Sequence, residues 1–405
     1  MNHLIKIEIA VIFVLISSGI FAQTFTTYTT TDGLPDDYII GGVAIDTNNN
    51  VWAGTAAGVG YFDGSSWTSY TGADGLADIY INCIAVDANN NVWVGTDNGV
   101  SQYDGSVWSN YTIADGLVDN AVYTIAGDID GSVWFGTLFG LSHFDGSTWT
   151  TYSTANGFPA DLISYVYVDS IGNKWFGTWM NGVIKYDGSS YTTITTADSL
   201  ADNNVKCITI DHSGHLWVGT LYGMSRFNDS LEWIGDITSA DGIYNDYIMD
   251  LDVAPDGSVW SAMFIDYLYD GGISGFNGSS WVSYTVADGL ADNLVRRLAV
   301  DHNGDVWIAT GSGVSKFSVI TGTCELVSDE RVNIFPNPTS GSFNLDTQSD
   351  NNSYYVEVSD VAGNIVLSGM NLKQADISTF SPGIYTVTVR WENGRSINRK
   401  VCKGM

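Results

Sequence analysis

Seven tryptophans, Trp52, Trp93, Trp134, Trp175, Trp217, Trp260 and Trp307, recur at gaps of 41, 41, 41, 42, 43 and 47 residues, by subtraction of successive positions. Around most of them the same phrase returns: a strand, a turn, W-x-G-T, a glycine-led strand, D-G-S-x-W, and a last strand. A period of 40 to 50 residues marks propellers and related arrays. Helical repeats are excluded by the pattern. CIAVD, VWVGT, VSQYD and WSNYT alternate or are rich in β-branched and aromatic residues, which is strand grammar. Four short strands per unit make one blade. The seven anchors therefore predict an all-β chain with a seven-bladed β-propeller over residues 23–323.

The closure of the ring is also legible. After Gln23 the chain reads TFTTYTTTDGL, which matches SWTSYTGADGL from Ser66, the fourth strand of a unit. The last unit runs from Trp307 through GVSKF and lacks a fourth strand of its own. Phe25 to Thr29 is expected to supply it, which removes the open edge that is the usual liability of a sheet.

The repeat resembles the two-component regulator propeller family, whose pattern is roughly DGL, N, V, I, D, G, W-x-GT and GLS-x-FDG. Residues Asp115 to Trp149, DGLVDNAVYTIAGDIDGSVWFGTLFGLSHFDGSTW, follow it nearly throughout. The resemblance covers about residues 24 to 320. It implies the exported sensor half of a membrane histidine kinase, yet neither a membrane helix nor a kinase follows the propeller here.

The first residues, MNHLIKIEIAVIFVLISSGIFAQ, join Lys6 to an apolar run from Ile9 to Ile16 and to small residues. They are expected to be a signal peptide, residues 1–22, cleaved after Ala22. No other stretch is long enough to span a bilayer. Of the four cysteines, Cys83 and Cys207 hold one repeat position and are expected to be small buried groups. No spacing pairs them with Cys324 or Cys402, and no Cys-x-x-Cys offers a zinc site.

The tail, residues 324–405, holds seven of the chain's 15 Lys and Arg. Its alternating strands and Gly and Pro turns predict a small Ig-like β-sandwich. It resembles the C-terminal sorting domain of the type IX secretion system. The matching features are Asn337-Pro338, the D-x-x-G-N turn at Asp360 to Asn364, P-G-I-Y at Pro382 to Tyr385, and the basic end at Arg399, Lys400 and Lys403. The resemblance implies export through that machinery to the outside or to the outer-membrane surface of a Gram-negative bacterium.

The formal net charge is −30. Nucleic acid is thereby excluded as a partner, since phosphate binding needs clustered Lys and Arg. Many of the carboxylates recur in pairs, as in ADGLADN from Ala287. The first of each pair, as at Asp74, Asp115, Asp241 and Asp288, precedes Gly, which is turn chemistry. DGSS at Asp63 and Asp187, DIDG at Asp128 and DHNG at Asp301 read the same way. An enzyme needs one site, whereas these recur in nearly every unit. The second set, Asp78, Asp119, Asp161, Asp202, Asp246 and Asp292, either caps first strands or rings the axis and holds a cation. No cofactor is expected. Calcium remains open on these oxygens alone, although calcium loops supply more ligands.

Function in a repeat scaffold sits where the units differ. After W-x-G-T, the third unit places Phe139, the fourth Trp179 and Met180, and the fifth Tyr222. The sixth carries the insertion MFIDYLYDGG, with Phe264, Asp266, Tyr267 and Tyr269. The second unit places Asp97 and Asn98 there, with Asp119 nearby. Flat rings beside carboxylates and amides suit the C–H faces and hydroxyls of a sugar chain, or a protein partner. This set is the candidate ligand site for a glycan or an extracellular protein. A third reading is a lyase at the axis, where Lys206, Arg296 and Arg297 begin first strands. No Ser/His/Asp or Cys/His arrangement supports a hydrolase.

Overall fold

The computed structural model describes residues 23–319, 332–335, 342–347, 354–359, 365–380, 383–391 and 396–403. The expected signal peptide lies outside the described residues, as do Asn337-Pro338 and the turn at Asp360 to Asn364. Two compact units separate, one of them Thr24–Ser318. Among the described residues no helix is long and apolar enough to cross a membrane.

The propeller consists of seven four-stranded antiparallel sheets. Blade 1 is Gly42–Ile45, Val51–Thr55, Gly58–Phe62 and Trp67–Tyr70, in that order from the axis outward. First strands of neighbouring blades stand side by side, and that of blade 7, Val295–Val300, meets that of blade 1. The fourth strand of blade 7 is Gln23–Tyr28 from the other end of the unit, paired to Gly313–Val319. The expected closure is thus observed. Phe25 packs on Phe317 at 4.9 Å between ring centres, and Tyr28 stacks on Trp307 at 5.8 Å.

The anchor tryptophans are buried between blades. Six of them are held in one way. An aspartate six residues earlier accepts the indole N–H, at 3.4 Å for Asp46–Trp52, 2.8 Å for Asp87–Trp93, 3.2 Å for Asp128–Trp134, 3.0 Å for Asp169–Trp175, 2.9 Å for Asp211–Trp217 and 2.9 Å for Asp301–Trp307. The same carboxylate usually closes the turn between first and second strands; Asp87, for example, accepts the N–H groups of Asn89 and Asn91. A buried indole N–H needs such a partner. Blade 6 departs: Ala254 replaces the aspartate and Trp260 donates to Ser258 Oγ at 3.2 Å.

The C-terminal region forms two sheets. One joins Val332–Phe335, Ser342–Thr347 and Gln374–Asp376; the other joins Ile365–Met370, Tyr354–Ser359, Gly383–Trp391 and Ser396–Lys403. Phe343 and Leu345 from the first and Val356, Val358, Val387 and Val389 from the second share one apolar core. This is the expected Ig-like sandwich, with polar residues alternating outward.

Candidate functional site

The recurrent carboxylates are used up by the scaffold. Thr71 and Asp74 form a reciprocal cap on a one-turn 3-10 helix, and Gly75 leaves it with φ +114°. The Asp74 carboxylate accepts the Thr71 N–H at 2.8 Å. Thr112 and Asp115 make the same bond at 2.9 Å, as do Thr238 and Asp241 and Thr285 and Asp288. These are the expected turns. Left-handed φ explains the glycine, and Ser199 meets the same demand in the fourth copy with φ +72°.

The second set does not form one ring, because the six residues hold two different register positions. Asp161 and Asp246 accept the first N–H of the one-turn helix, from Thr154 at 2.7 Å and Ser239 at 2.6 Å. Asp78, Asp202 and Asp292, one position earlier in the motif, fold back on the N–H two residues on, at 3.1, 2.7 and 2.9 Å. Asp119 reaches that N–H at 3.4 Å. Among the described residues no group of three or more His, Cys, Asp or Glu stands close enough to hold a metal ion.

The upper face of the propeller carries the turns between second and third strands. In most blades a Thr side chain pins that turn by donating to the following Gly carbonyl, as Thr137 does to Gly140 at 3.0 Å and Thr220 to Gly223 at 2.9 Å. The pin fixes the backbone and leaves the two side chains between to project. Phe139 and Tyr222 are 65% and 67% exposed. In blade 4 the pin spans one residue more, Thr178 to Gly182, and lifts Trp179 and Met180 from the face. Blade 6 has Met263 in place of the threonine. Its strands lengthen to Val259–Ile265 and Asp270–Phe276, and the hairpin tip carries Asp266, Tyr267 and Tyr269.

Contacts tie groups on this face to neighbours from other segments. Lys206 from blade 5 lies 4.9 Å from the centre of the Trp179 ring. Arg296 from blade 7 pairs with Asp266 at 3.1 Å. The Tyr247 and Tyr267 hydroxyls are 3.4 Å apart, and Tyr269 donates to Asp292 at 3.3 Å. Burial, with Arg297 adding to it, lowers the Lys206 pKa from its ordinary value.

Two groups of the expected set stand elsewhere. Phe264 is buried, 2% exposed, beneath the hairpin, with Tyr269 edge-on at 5.6 Å and Arg296 at 5.9 Å. It lies in a strand buried along its whole length and supports the hairpin; it is no contact residue. Asp97, Asn98 and Asp119 form a separate polar group. Asp97 accepts from Asn82 at 2.7 Å, Asn98 donates to Asp78 at 2.5 Å, and both Asp97 and Asp119 act on Tyr123.

The inner strands hold what the repeat pattern hid. The motif position four residues before the turn aspartate is Gly42, Cys83, Thr124, Tyr165, Cys207, Asp250 and Arg297 around the ring. Gly42, Cys83, Thr124, Tyr165, Asp250 and Arg297 line a cavity of about 120 Å³. Cys83 and Cys207 are buried and free, as expected, and burial pushes the Cys83 thiol up to about 12. On the lower side a cavity of about 600 Å³ is lined by Tyr167, Asp169, Thr209, Asp211, His212 and Asp252. Burial pushes the Asp252 carboxyl up to about 6. Two of the histidines serve the scaffold: His143 lies on Trp134 at 4.4 Å, and His215 pairs with Asp211 at 3.1 Å.

Comparison with known proteins agrees with both halves of the chain. The two component regulator propeller family matches residues 75–98, 116–139, 199–222 and 289–312. The secretion system C-terminal sorting domain matches residues 333–403. No curated protein sequence matches the chain. Among solved structures it is similar to the extracellular domain assigned to the hybrid two component system BT3049 of B. thetaiotaomicron, with TM-score 0.64 and 19% identity over 93% of this chain and 57% of that one. It is similar to PorZ, a surface component of the type-IX secretion system of Porphyromonas gingivalis, with TM-score 0.60 and 16% identity over 92% of this chain and 60% of that one. A streptogramin B lyase matches with TM-score 0.58 and 16% identity over 74% of this chain and 98% of that one. The chain thus spans under two thirds of the first two, and at these identities the likeness concerns the fold. The chain carries two-component regulator propeller repeats and a type IX sorting domain, and is a secreted or outer-membrane surface protein of a Gram-negative bacterium.

Proposed function

We propose that this exported chain of regulator-type propeller repeats is a non-catalytic surface protein that binds a glycan on the upper face of its propeller. One observation carries the reading. Phe139, Trp179, Tyr222 and Tyr267 project from four consecutive blades, 65%, 44%, 67% and 74% exposed; a threonine pins the turns of the first three, and the fourth tops the lengthened hairpin of blade 6. Large exposed rings cost solvation and mark contact surfaces. Their neighbours Asp266, Lys206 and Arg296 supply the hydrogen-bonding groups that fix a hydroxyl-rich ligand. Such a platform needs no moving part, which suits a rigid ring of blades. The similarity to PorZ, a surface component, and to the extracellular domain of a two component system supports a role outside the cell.

A glycan array with the purified chain and its Trp179→Ala variant tests the reading. The expected result is selective binding by the parent chain, at least tenfold weaker in the variant, with the two melting temperatures alike. Trp179 is 44% exposed, so its removal opens no cavity. Silence of the parent chain on the array would overturn the glycan reading and turn attention to a protein partner. A large fall in melting temperature on Trp179→Ala would show the ring to be packing.

A further inference from the structure

Seven Lys and Arg residues stand in the propeller unit, and four of them are committed to the blades. Lys185, Arg226 and Lys316 lie over the anchor rings of Trp175, Trp217 and Trp307, each at 4.9 Å. Lys174 pairs with Asp128 at 2.7 Å. The remaining three, Lys206, Arg296 and Arg297, all come from first strands, those of blades 5 and 7, and so gather at the axis. Two of them face one carboxylate each, Arg296 with Asp266 at 3.1 Å and Arg297 with Asp250 at 3.8 Å, so three cations meet two such partners in a chain of net charge −30.

Arg297 faces the axial cavity of about 120 Å³. Its charge partner there is Asp250, with Nη1 3.8 Å from Oδ1, which is beyond hydrogen-bond reach. The oxygens of Asp250 are already engaged. Tyr165 O–H donates to Oδ1 at 3.2 Å and the Leu298 N–H to Oδ2 at 3.1 Å. The guanidinium also lies 5.5 Å from the centre of the Tyr165 ring. Among the described residues none of its N–H groups has a hydrogen-bond acceptor. Lys206 rests on Trp179; among the described residues no carboxylate stands in ion-pair range of it, although Asp266 and Asp202 attract its charge from farther off and Arg297 opposes it. Arg296 keeps its Nε buried and without an acceptor. Donors of this kind are costly unless an acceptor meets them. A guanidinium fork is matched by a carboxylate.

We infer that the axial cavity is an anion site in which Arg297, with Lys206 and Arg296 above it, takes the carboxylate of an acidic sugar whose ring lies on the upper aromatic face. The cavity has room for a carboxylate and a few waters, not for a pyranose ring, so the acid group alone enters. For its sugar part the inference rests on the glycan reading above; the anion site itself does not.

Acetate and acetamide probe the site without any sugar. In the full chain, acetate is expected to shift the Arg297 Nε–H resonance and acetamide to leave it in place. An Arg297 resonance indifferent to acetate would overturn the anion site while leaving the glycan reading standing. Trigalacturonate and its methyl ester then probe the site with a sugar attached. The acid is expected to bind about ten- to a hundredfold tighter than the ester, the range of a charge-assisted hydrogen bond. Arg297→Gln strands the Asp250 carboxylate and can cost the fold, so the charge-neutral pair Arg297→Gln with Asp250→Asn is measured beside it. That pair is expected to abolish the preference for the acid, whereas Trp179→Ala weakens acid and ester alike. Acid and ester bound equally by the parent chain, or a preference surviving in the double variant, would overturn the assignment.

Discussion

Replacing Asp252 by asparagine is expected to stabilise the propeller at neutral pH and not at acid pH. The carboxylate accepts the Val300 N–H at 2.7 Å and the Val253 N–H at 2.8 Å, and both bonds favour its anion. Burial outweighs them and lifts its pKa from 3.8 to about 6. The folded chain therefore keeps a proton between those two values that the unfolded chain has released. In that window stability falls as pH rises, and above about 6 the full cost is present. A shift of that size corresponds to about 3 kcal/mol. The neighbouring cavity admits water, and asparagine surrenders one acceptor, worth about 1 kcal/mol. A net gain of about 1 to 2 kcal/mol at pH 7.5 remains, or roughly 2 to 6 °C in melting temperature. Thermal or urea unfolding of parent and Asp252→Asn at pH 4, 5.5 and 7.5 measures it. The gain is expected to vanish by pH 4. A variant less stable than the parent at pH 7.5 would refute the reasoning, because it would mean that the carboxylate is held charged by a partner in the lower cavity.

Three further outcomes follow from the scaffold. Asp87→Ala removes the acceptor of the Trp93 indole and of the turn N–H groups, and is expected to cost about 2 to 4 kcal/mol in urea unfolding; a neutral result would deny the aspartate–indole lock. Phe25→Ala withdraws the ring packed on Phe317 and is expected to cost about 3 kcal/mol, with hydrogen exchange accelerating first along Gly313–Val319. Faster exchange spread evenly over all blades would contradict that local seam. Cys83 is buried and its thiol is held up to about 12, so a thiol reagent at pH 8 is expected to spare it until denaturant is added; prompt labelling of Cys83 in the native chain would contradict its burial.

The fold was legible because the residues that build it repeat. Trp52 and its six counterparts announce the blades, and the match of Thr24 to Leu34 with Ser66 to Leu76 announces the closure. The carboxylate turns were legible for the same reason. What depends on single positions was not. Asp161 and Asp246 sit one residue away from the position of Asp78, and only the hydrogen bonds separate their roles. Phe264 and Tyr267 share one insertion, yet the first lies in a strand buried throughout and the second on the exposed turn beyond it. Arg296 and Arg297 are adjacent in sequence and both were placed near the axis, but one reaches Asp266 on the blade 6 hairpin and the other lines the axial cavity. Asp250 and Tyr165 gave no signal, because the ring position they occupy holds a different residue in every blade except the two with cysteine. The pinned turn of blade 4 did leave a trace: its extra residue is the step from 41 to 42 in the spacing of the tryptophans.

The seam in blade 7 also sets an order in time. Phe25 meets Phe317 across 292 intervening steps of chain, by subtraction of their numbers. A segment synthesised early must wait, unpaired, for one synthesised those 292 residues later. Contacts of such long separation are slow to form, and until they form, the outer edge of Gly313–Val319 is open to any other strand. The interval between the two is therefore the moment at which this ring is vulnerable to a second copy of itself. Whatever holds the early strand apart during that interval governs how much of the protein arrives as closed rings.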